Sequence, residues 1–460
     1  MNLKFEELEQ SIYEFVCRLA RDITVEVLTG MDEHLKTHRD RKRYKCKDRK
    51  TTTIKTVYGE VEYKRNYYFD LEEERYIYLL DDEIQMEKIG MVSSNLAKKI
   101  TEACIDMPFR KAAKTISETT AQSISSRGAW NVVQQVGKTV KKDENNKVKN
   151  LGNDKKRGKK KADIIFMEAD GVYLKIQKDK KKAKSQELKL ATIYEGWKDK
   201  RLYGKTVFIG MESAEKFNEK AEALVQSVYD TDNSIRILNG DGAAWISNTY
   251  EPYRIFQLDR FHIVKKIRQC IKDKNITRIA IKQFNDKDYD GLYDTVEAYY
   301  NSVISGAHSK KTVELATDLR KYLINNRDGI ASWQEQLEDI PTPPEGITYK
   351  NMGVQEGQNC SLVTNRMKGQ KMRWSVSGAD NMAKLIYTRE NGTLDKYIEK
   401  YDGYVETDDI DVIAKKIAAK DNRERIGSKG SKYIELIQAH IPCNNVAEGA
   451  YSKLLRNISH

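Results

Sequence analysis

Two short runs set an aspartate beside a glycine directly after an apolar, strand-like segment. IIFMEADGVYL (164–174) holds Asp170, and SIRILNGDGAAWI (234–246) holds Asp241. Asp-Gly occurs at 170, 241, 290, 328 and 402, and of these only the first two follow strongly apolar segments. Taken alone the pair is a turn signal, because Asn, Asp and Gly tolerate positive φ. An acid at the carboxyl edge of a sheet strand is also a way to present a metal ligand. Two carboxylates held close repel each other, and a divalent cation relieves the repulsion. Mg²⁺ suits such a pair because it prefers hard oxygen ligands and keeps several waters, and Mn²⁺ is its natural substitute. A third acid would complete a site for two metals about 3.5–4 Å apart, one activating the attacking oxygen and one stabilising the leaving oxygen. Glu356, in VQEGQN, is the candidate. It precedes Arg366, Lys368, Lys371 and Arg373, and Asn359 follows one helical turn on. Gly353 and Gly357 weaken a helix there by about 1 kcal/mol each relative to Ala. Glu345 is the rival, in a Pro-rich loop setting.

QLDRFHIVKKI (257–267) is the second chemical cluster. Asp259 and His262, three apart, share a side if strand gives way to helix there, while Lys265, Lys266 and Arg268 make that helix basic. A histidine beside a carboxylate is commonly a structural pair; near a metal-bearing sheet edge it also suits DNA handling. Trp333 has two readings as well, a core side chain or a platform for an unpaired base.

The elements that must position these residues read as α/β. ADIIFMEADGVYLKIQ, ELKLATIYEGW and KTVFIGM are three strands at meander spacing. SAEKFNEKAEALVQSVYD follows as a helix with Ser213 at its N-cap, then SIRIL, a short helix AAWISNTY, the strand RIFQLD and the helix FHIVKKIRQCI. Three meander strands followed by alternating helix and strand is the order of a ribonuclease H-like fold, a mixed five-stranded sheet with helices. In that order the first and fourth strands are neighbours, so Asp170 and Asp241 face each other. A helix rather than a pairing strand after Gly242 weighs against a plain hairpin at Asn239–Gly242. Residues 163–271 form the first part of this core, 272–345 an all-helical insertion closed by DIPTPPEG, 346–390 the completion that carries the third acid, and 391–460 a mixed helical and loop region.

The chain ahead of the core is shaped for a polyanion. Across 460 residues, 81 Lys and Arg against 69 Asp and Glu leave a formal charge of +12, a balance that suits nucleic acid. Residues 1–40 read as helix, with Phe5, Leu8, Ile12, Phe15, Val16 and Leu19 at helical spacing. TTTIKTVYGEVEYKRNYYFD reads as a hairpin, with Arg65 among alternating aromatics. MPFRKAAKTISETTAQSISSRGAWNVVQQVG reads as two short helices around a polar turn. Gln122, Ser123 and Arg127 fall near the start of the second, where a recognition helix meets DNA. Together 1–140 form a hairpin-plus-helical DNA-binding region, and 141–162, rich in Lys, Asn and Gly, a basic linker. The basic group Arg366, Lys368 and Arg373 adds further phosphate contacts. The six cysteines are scattered without a Cys-x-x-Cys pair, which excludes the usual zinc spacings and fits reduced thiols. No apolar run approaches the roughly 18 residues of a membrane span, and the first residues lack the pattern of a signal peptide. The expectation is a cytoplasmic, nucleoid-associated protein. A general RNA-binding protein is disfavoured, because the paired aromatic motifs of an RNA-recognition sheet are missing.

EADGVYL, NGDGAAWI, LDRFHIVKKI and VQEGQN…RMKGQKMRWS, in that order and with a helical block before the last, resemble the DDE transposases of bacterial insertion sequences, the ISLre-type family, distantly similar to Mutator-type transposases. The TVYGEVEYKRNYY hairpin and the AAKTIS…SISSRGAW helices resemble that family's amino-terminal region. The resemblance implies Mg²⁺-dependent cutting at element ends and joining of the freed 3′ hydroxyl to target DNA, with Asp170, Asp241 and Glu356 as the triad. It also implies that Asp259 and His262 form an Asp-x-x-His signature, that the partners are double-stranded element ends and target DNA, and that the protein is a homo-oligomer. Two other readings stay open: a ribonuclease H-like nuclease that cuts without joining, and a non-catalytic DNA-binding regulator derived from a transposase.

Overall fold

The computed structural model describes residues 4–84, 91–153, 157–177, 185–247 and 254–398. The carboxyl-terminal region from 399 on, the middle of the expected linker (154–156) and the end of the AAWISNTY helix lie outside them. The chain divides into two compact units. One comprises the described residues of Met1–Ile100 with Arg110–Ala129, and the other Thr101–Phe109 with Trp130–Ile398. The boundary expected at 140 therefore falls inside the second unit.

The first unit begins with a 34-residue helix, α1 (Phe5–His38). Val25, Met31 and Leu35, at helical spacing with the buried Leu28, pack against Ile54, Val61 and Tyr63 of a hairpin. That hairpin is β1 (Tyr44–Thr56) and β2 (Gly59–Asp70), paired antiparallel from Thr56↔Gly59 outward. The basic run before Thr51 is thus largely strand, and burial in β2 alternates between Val61 and Tyr63 inside and Glu60, Glu62 and Lys64 outside. Asp32, buried in α1, accepts from the backbone N–H and the side-chain amide of Asn66, fixing helix to sheet. The short β3 (Arg75–Ile77) adds to β2, and α2 (Leu79–Glu83) follows. Next in the chain come α3 (Ser94–Asp106), α4 (Phe109–Thr119) and α5 (Ser126–Val148), of which the part of α3 from Thr101 and the part of α5 from Trp130 belong to the second unit.

The second unit is built on a mixed sheet of five strands: β4 (Ile164–Lys175), β5 (Ser185–Tyr194), β8 (Thr206–Gly210), β9 (Ile235–Gly240) and β10 (Arg254–Leu258). The small hairpin β6 (Gly196–Lys198) and β7 (Arg201–Tyr203) lies between β5 and β8 in the chain. The order across the sheet is β10-β9-β4-β5-β8. β4, β5 and β8 are antiparallel neighbours, while β9 and β10 run parallel to β4. Connections are α6 (Ala214–Val228), α7 (Ala244–Ser247) and α8 (Arg260–Cys270). A helical block follows, with α9 (Lys274–Asn285), α10 (Tyr289–Ser305), α11 (Lys310–Asn325) and α12 (Trp333–Gln336). The chain then passes through α13 (Gln355–Gln358), a π-helical turn at Asn359–Thr364, α14 (Asn365–Met367) and α15 (Val376–Glu390).

Period two assigns the faces of this sheet. Phe166, Glu168 and Asp170 share one face of β4. There Phe166 packs with Tyr194, Trp197, Ile237 and Trp333, its ring 5.3 Å from that of Trp333. Each such side chain contributes about 1.5–3 kcal/mol by leaving water. The helical block has its own core, in which Phe284, Leu292, Leu319 and Leu323 join Leu258, Ile263 and Ile267.

Lys141–Val148, expected as the start of a mobile linker, is instead the last part of α5, and it carries part of a buried ion cluster. Lys384 of α15, 0% exposed, donates to Glu212 and to the carbonyl of Ile209, and pairs with Glu144 at 3.0 Å. Lys220 bridges Glu144 and Glu212, and Lys141 pairs with Asp380. Burial raises the cost of the Glu212 charge, yet Lys384 and Lys220 hold its carboxyl down at about 2.

Candidate active site

The last paired residues of β4 and β9 are Ala169 and Gly240, so Asp170 and Asp241 are the next residue of each of two adjacent parallel strands. One carboxylate oxygen of each, with one ring nitrogen of His262, lie within 4.8 Å of one another. They line a cleft of about 110 Å³ shared with Asn239, Asp259, Phe261, Gln355 and Glu356.

Local geometry explains why each side chain sits there. Asp241 begins the turn into α7, where its Oδ1 accepts from the Ala243 N–H at 2.9 Å and Gly242 adopts φ +84°, a conformation that favours glycine. Turn residue and site residue are therefore the same aspartate. The Tyr322 hydroxyl of α11 donates to the Asp241 carbonyl at 3.1 Å, bracing the loop from the helical block. Asp259 is the N-cap of α8. Its Oδ1 accepts the His262 backbone N–H and also meets His262 Nδ1, both at 3.0 Å. With Nδ1 committed to Asp259, Nε2 is the remaining ligand nitrogen of the ring, the arrangement usual for a metal-binding histidine. The same bond to Asp259 raises the His262 pKa above its ordinary value.

Asp170 is 8% exposed. Burial pushes its carboxyl up to about 6, with the neighbouring charge of Asp241 adding to the shift and His262 opposing it. A buried carboxylate at odds with a neighbouring carboxylate, beside an oriented imidazole, is a donor set suited to a divalent cation. Glu356 lies on α13 with its side chain exposed at the rim of the cleft and outside the close group formed by Asp170, Asp241 and His262. The buried Asn359, three residues on from it, donates to Asp170 Oδ2 at 2.6 Å.

A buried polar row beneath the cleft holds α13 in place, and sequence reasoning missed its principal member. Glu168, two residues before Asp170 on the same face of β4, is 0% exposed. Its carboxylate accepts from the Tyr194 hydroxyl at 2.6 Å, from Asn239 Nδ2 at 3.0 Å, and from the backbone N–H groups of Gly353 and Val354 at 3.0 Å. These are the free amides at the entry to α13, which a carboxylate caps well. Asn239 also donates to Asp259, and Gln257 donates to Asn239 while accepting from the backbone N–H of Trp333. The signal available in the sequence was a glutamate in a strand with no polar face of its own.

Other expected site residues lie elsewhere. Trp333 is 1% exposed in the sheet core, so the base-stacking reading gives way to the core reading. Arg366, 6% exposed, donates to the Cys104 carbonyl and lies over the rings of Phe109 and Trp374, which uses its guanidinium inside the protein rather than on DNA. Arg65, 5% exposed, is ion-paired with Asp81 and lies over the Tyr78 ring. Gln122 is buried and donates to the Ser123 carbonyl. Ser123, Arg127, Lys265, Arg268, Lys368 and Arg373 are exposed, and Lys266 is half-buried.

A family profile described as "Uncharacterised protein family (UPF0236)" matches residues 1–402. The chain belongs to the UPF0236 family. A UPF0236 protein of Caldanaerobacter subterraneus subsp. tengcongensis is 25% identical over 405 residues, covering 85% of this chain and 79% of that protein. A UPF0236 protein in the vanSb 3′ region of Streptococcus gallolyticus is 25% identical over 407 residues, covering 85% and 84%. Among solved structures, a Drosophila P element transposase strand transfer complex aligns with 66% of this chain and 84% of that chain at 10% identity. Its TM-score of 0.22 is too low for the likeness to bear on fold or activity. Among the described residues of this UPF0236 chain, no helix is long and apolar enough to cross a membrane.

Proposed function

We propose that this UPF0236 protein is a DDE-type DNA transposase that cuts the ends of its element and joins them to target DNA at a metal site held by Asp170, Asp241 and His262, with Glu356 as the third acid. The observation that carries the proposal is the approach of two carboxylates and an imidazole within 4.8 Å at the ends of adjacent parallel strands. The sheet order supports a ribonuclease H-like core, since three antiparallel strands are followed by two parallel to the first. Divalent cations held there would supply activation of the attacking oxygen and stabilisation of the leaving oxygen.

The chain's own residues have defined parts in this scheme. Asp259 orients the His262 ring, and Asn359 orients the Asp170 carboxylate. Glu168 fixes the entry of the helix whose exposed Glu356 lines the cleft, which keeps the third acid beside the other two. Lys265, Lys266, Arg268, Lys368 and Arg373 supply positive charge for the DNA backbone, and Ser123 and Arg127 contact element ends.

The proposal expects short inverted repeats in the DNA flanking the gene, and the test is incubation of the purified protein with that DNA, with Mg²⁺, with Mn²⁺ and with chelator. Metal-dependent nicking at the repeats is expected. Pre-cut repeats should then be joined to a target plasmid. Cutting without joining would identify a nuclease, and repeat binding without any metal-dependent chemistry would identify a regulator.

A further inference from the structure

α1 carries two apolar stripes on opposite sides. Val25, Leu28, Met31 and Leu35, in its second half, face the hairpin. In its first half Phe5 is 77% exposed, Ile12 49%, Phe15 49% and Val16 51%, with Leu8 and Leu19 half-buried. At 100° per residue, Phe5, Leu8, Ile12, Phe15 and Leu19 fall on one side of the helix and Cys17 and Leu28, both buried, on the other. The described part of the fold therefore leaves the first stripe open. An exposed apolar patch of this kind marks an interaction surface.

The spacing says what covers it. Steps of three, four, three and four from Phe5 to Leu19 are the a and d positions of a coiled-coil seam, which a helix of the same sequence fills by knobs-into-holes packing. With Phe5 at a, the flanking positions place Lys4 at g and Glu9 at e. A parallel, in-register pair sets Lys4 of one chain against Glu9 of the partner subunit, opposite charges. An antiparallel pair with Leu8 against Ile12 brings the two Glu9 side chains together, like charges. Two heptads are short for an isolated coiled coil, because helix nucleation is costly. Here the cost is already met, since the second half of α1 is anchored on the hairpin and the seam is a continuation of the same helix.

We propose that residues 5–19 of α1 form a parallel self-association seam, covered by the same segment of a second copy of this chain. The symmetry is isologous, so each seam residue meets its own counterpart. The inference is independent of the catalytic reading, because no residue of the cleft takes part in it.

Sedimentation equilibrium of the full chain tests it. The wild type should be a dimer. Ile12→Glu combined with Phe15→Glu should weaken association by at least about a hundredfold, because each substitution buries charge in the seam, while circular dichroism stays unchanged. Lys4→Glu should weaken the dimer, and Lys4→Glu with Glu9→Lys should restore it. Ile12→Cys, at an a position, should form a covalent dimer on mild oxidation beyond the background of the native thiols. A monomeric wild type, as expected if the chain's own residues 399–460 cover the stripe, would overturn the proposal. Association that the double glutamate variant leaves unchanged would overturn it as well.

Discussion

Asn359 Nδ2 donates to Asp170 Oδ2 at 2.6 Å, tying the helical segment that carries Glu356 to the strand that carries the first acid. The bond favours the ionised form of a carboxyl that burial has pushed up to about 6. Asn359→Ala therefore raises the Asp170 pKa further and makes protons stronger competitors for the site. Metal affinity at pH 7 should fall about tenfold, the scale seen when a partner behind a metal ligand is removed. Mn²⁺ titration calorimetry of the two proteins measures the difference.

Glu168→Ala strips the acceptor from Tyr194, Asn239 and the amides of Gly353 and Val354 at once. Each buried donor left unpaired costs about 1–3 kcal/mol, so a loss of at least about 3 kcal/mol in unfolding free energy is expected. Hydrogen exchange should quicken selectively at 353–358. Uniform quickening across the sheet would show that Glu168 supports the fold generally and not α13 in particular.

The strands, their order and the adjacency of Asp170 and Asp241 were legible because they rest on local pattern: apolar runs, a capped helix and turn residues at short intervals. Glu168 was missed: its place in an apolar strand hints at burial, but nothing local names the distant amides of Gly353 and Val354 as its partners. Arg65, Gln122 and Arg366 failed for the opposite reason, while of the two readings of Trp333 the core one held. Their types suit DNA, but type does not reveal burial, and the rings around Arg366 come from Phe109 and Trp374, distant in sequence from each other. Lys141–Val148 read as linker because it shows no apolar stripe of its own and its burial depends on distant partners: Lys141 pairs with Asp380 of α15 and Glu144 with Lys220 and Lys384.

The buried ion cluster makes stability depend on pH with a defined sign. The Glu212 carboxyl stands at 4.5 ordinarily and about 2 in the fold. Its contribution is complete above pH 4.5 and is lost as pH falls toward 2. Denaturant unfolding should thus show stability falling across that window. Lys384→Met takes one ammonium from Glu144 and Glu212, leaving them Lys220 and, for Glu144, the Tyr387 hydroxyl, and should cost about 3–5 kcal/mol at pH 7, as breaking a buried ionic group does. An unchanged midpoint would show that the cluster contributes nothing.

Binding to element ends should weaken with salt, each neutralised phosphate adding about −0.9 to the log–log slope. Arg127→Ala, at the exposed start of α5, should lower affinity and reduce the slope by about one phosphate. Fluorescence anisotropy over a salt series reads both quantities. A parallel loss without change of slope would place Arg127 off the phosphate backbone.

In the proposed scheme Asp170 and Asp241 act together on a metal. The most direct measurement is the rate of Mg²⁺-dependent nicking at the inverted repeats by Asp241→Asn, taken beside its affinity for the same DNA. Nicking should fall below detection while affinity stays within about threefold of wild type, since the exchange removes a charge from the cleft and no DNA contact. Nicking by Asp241→Asn at the wild-type rate would contradict that scheme.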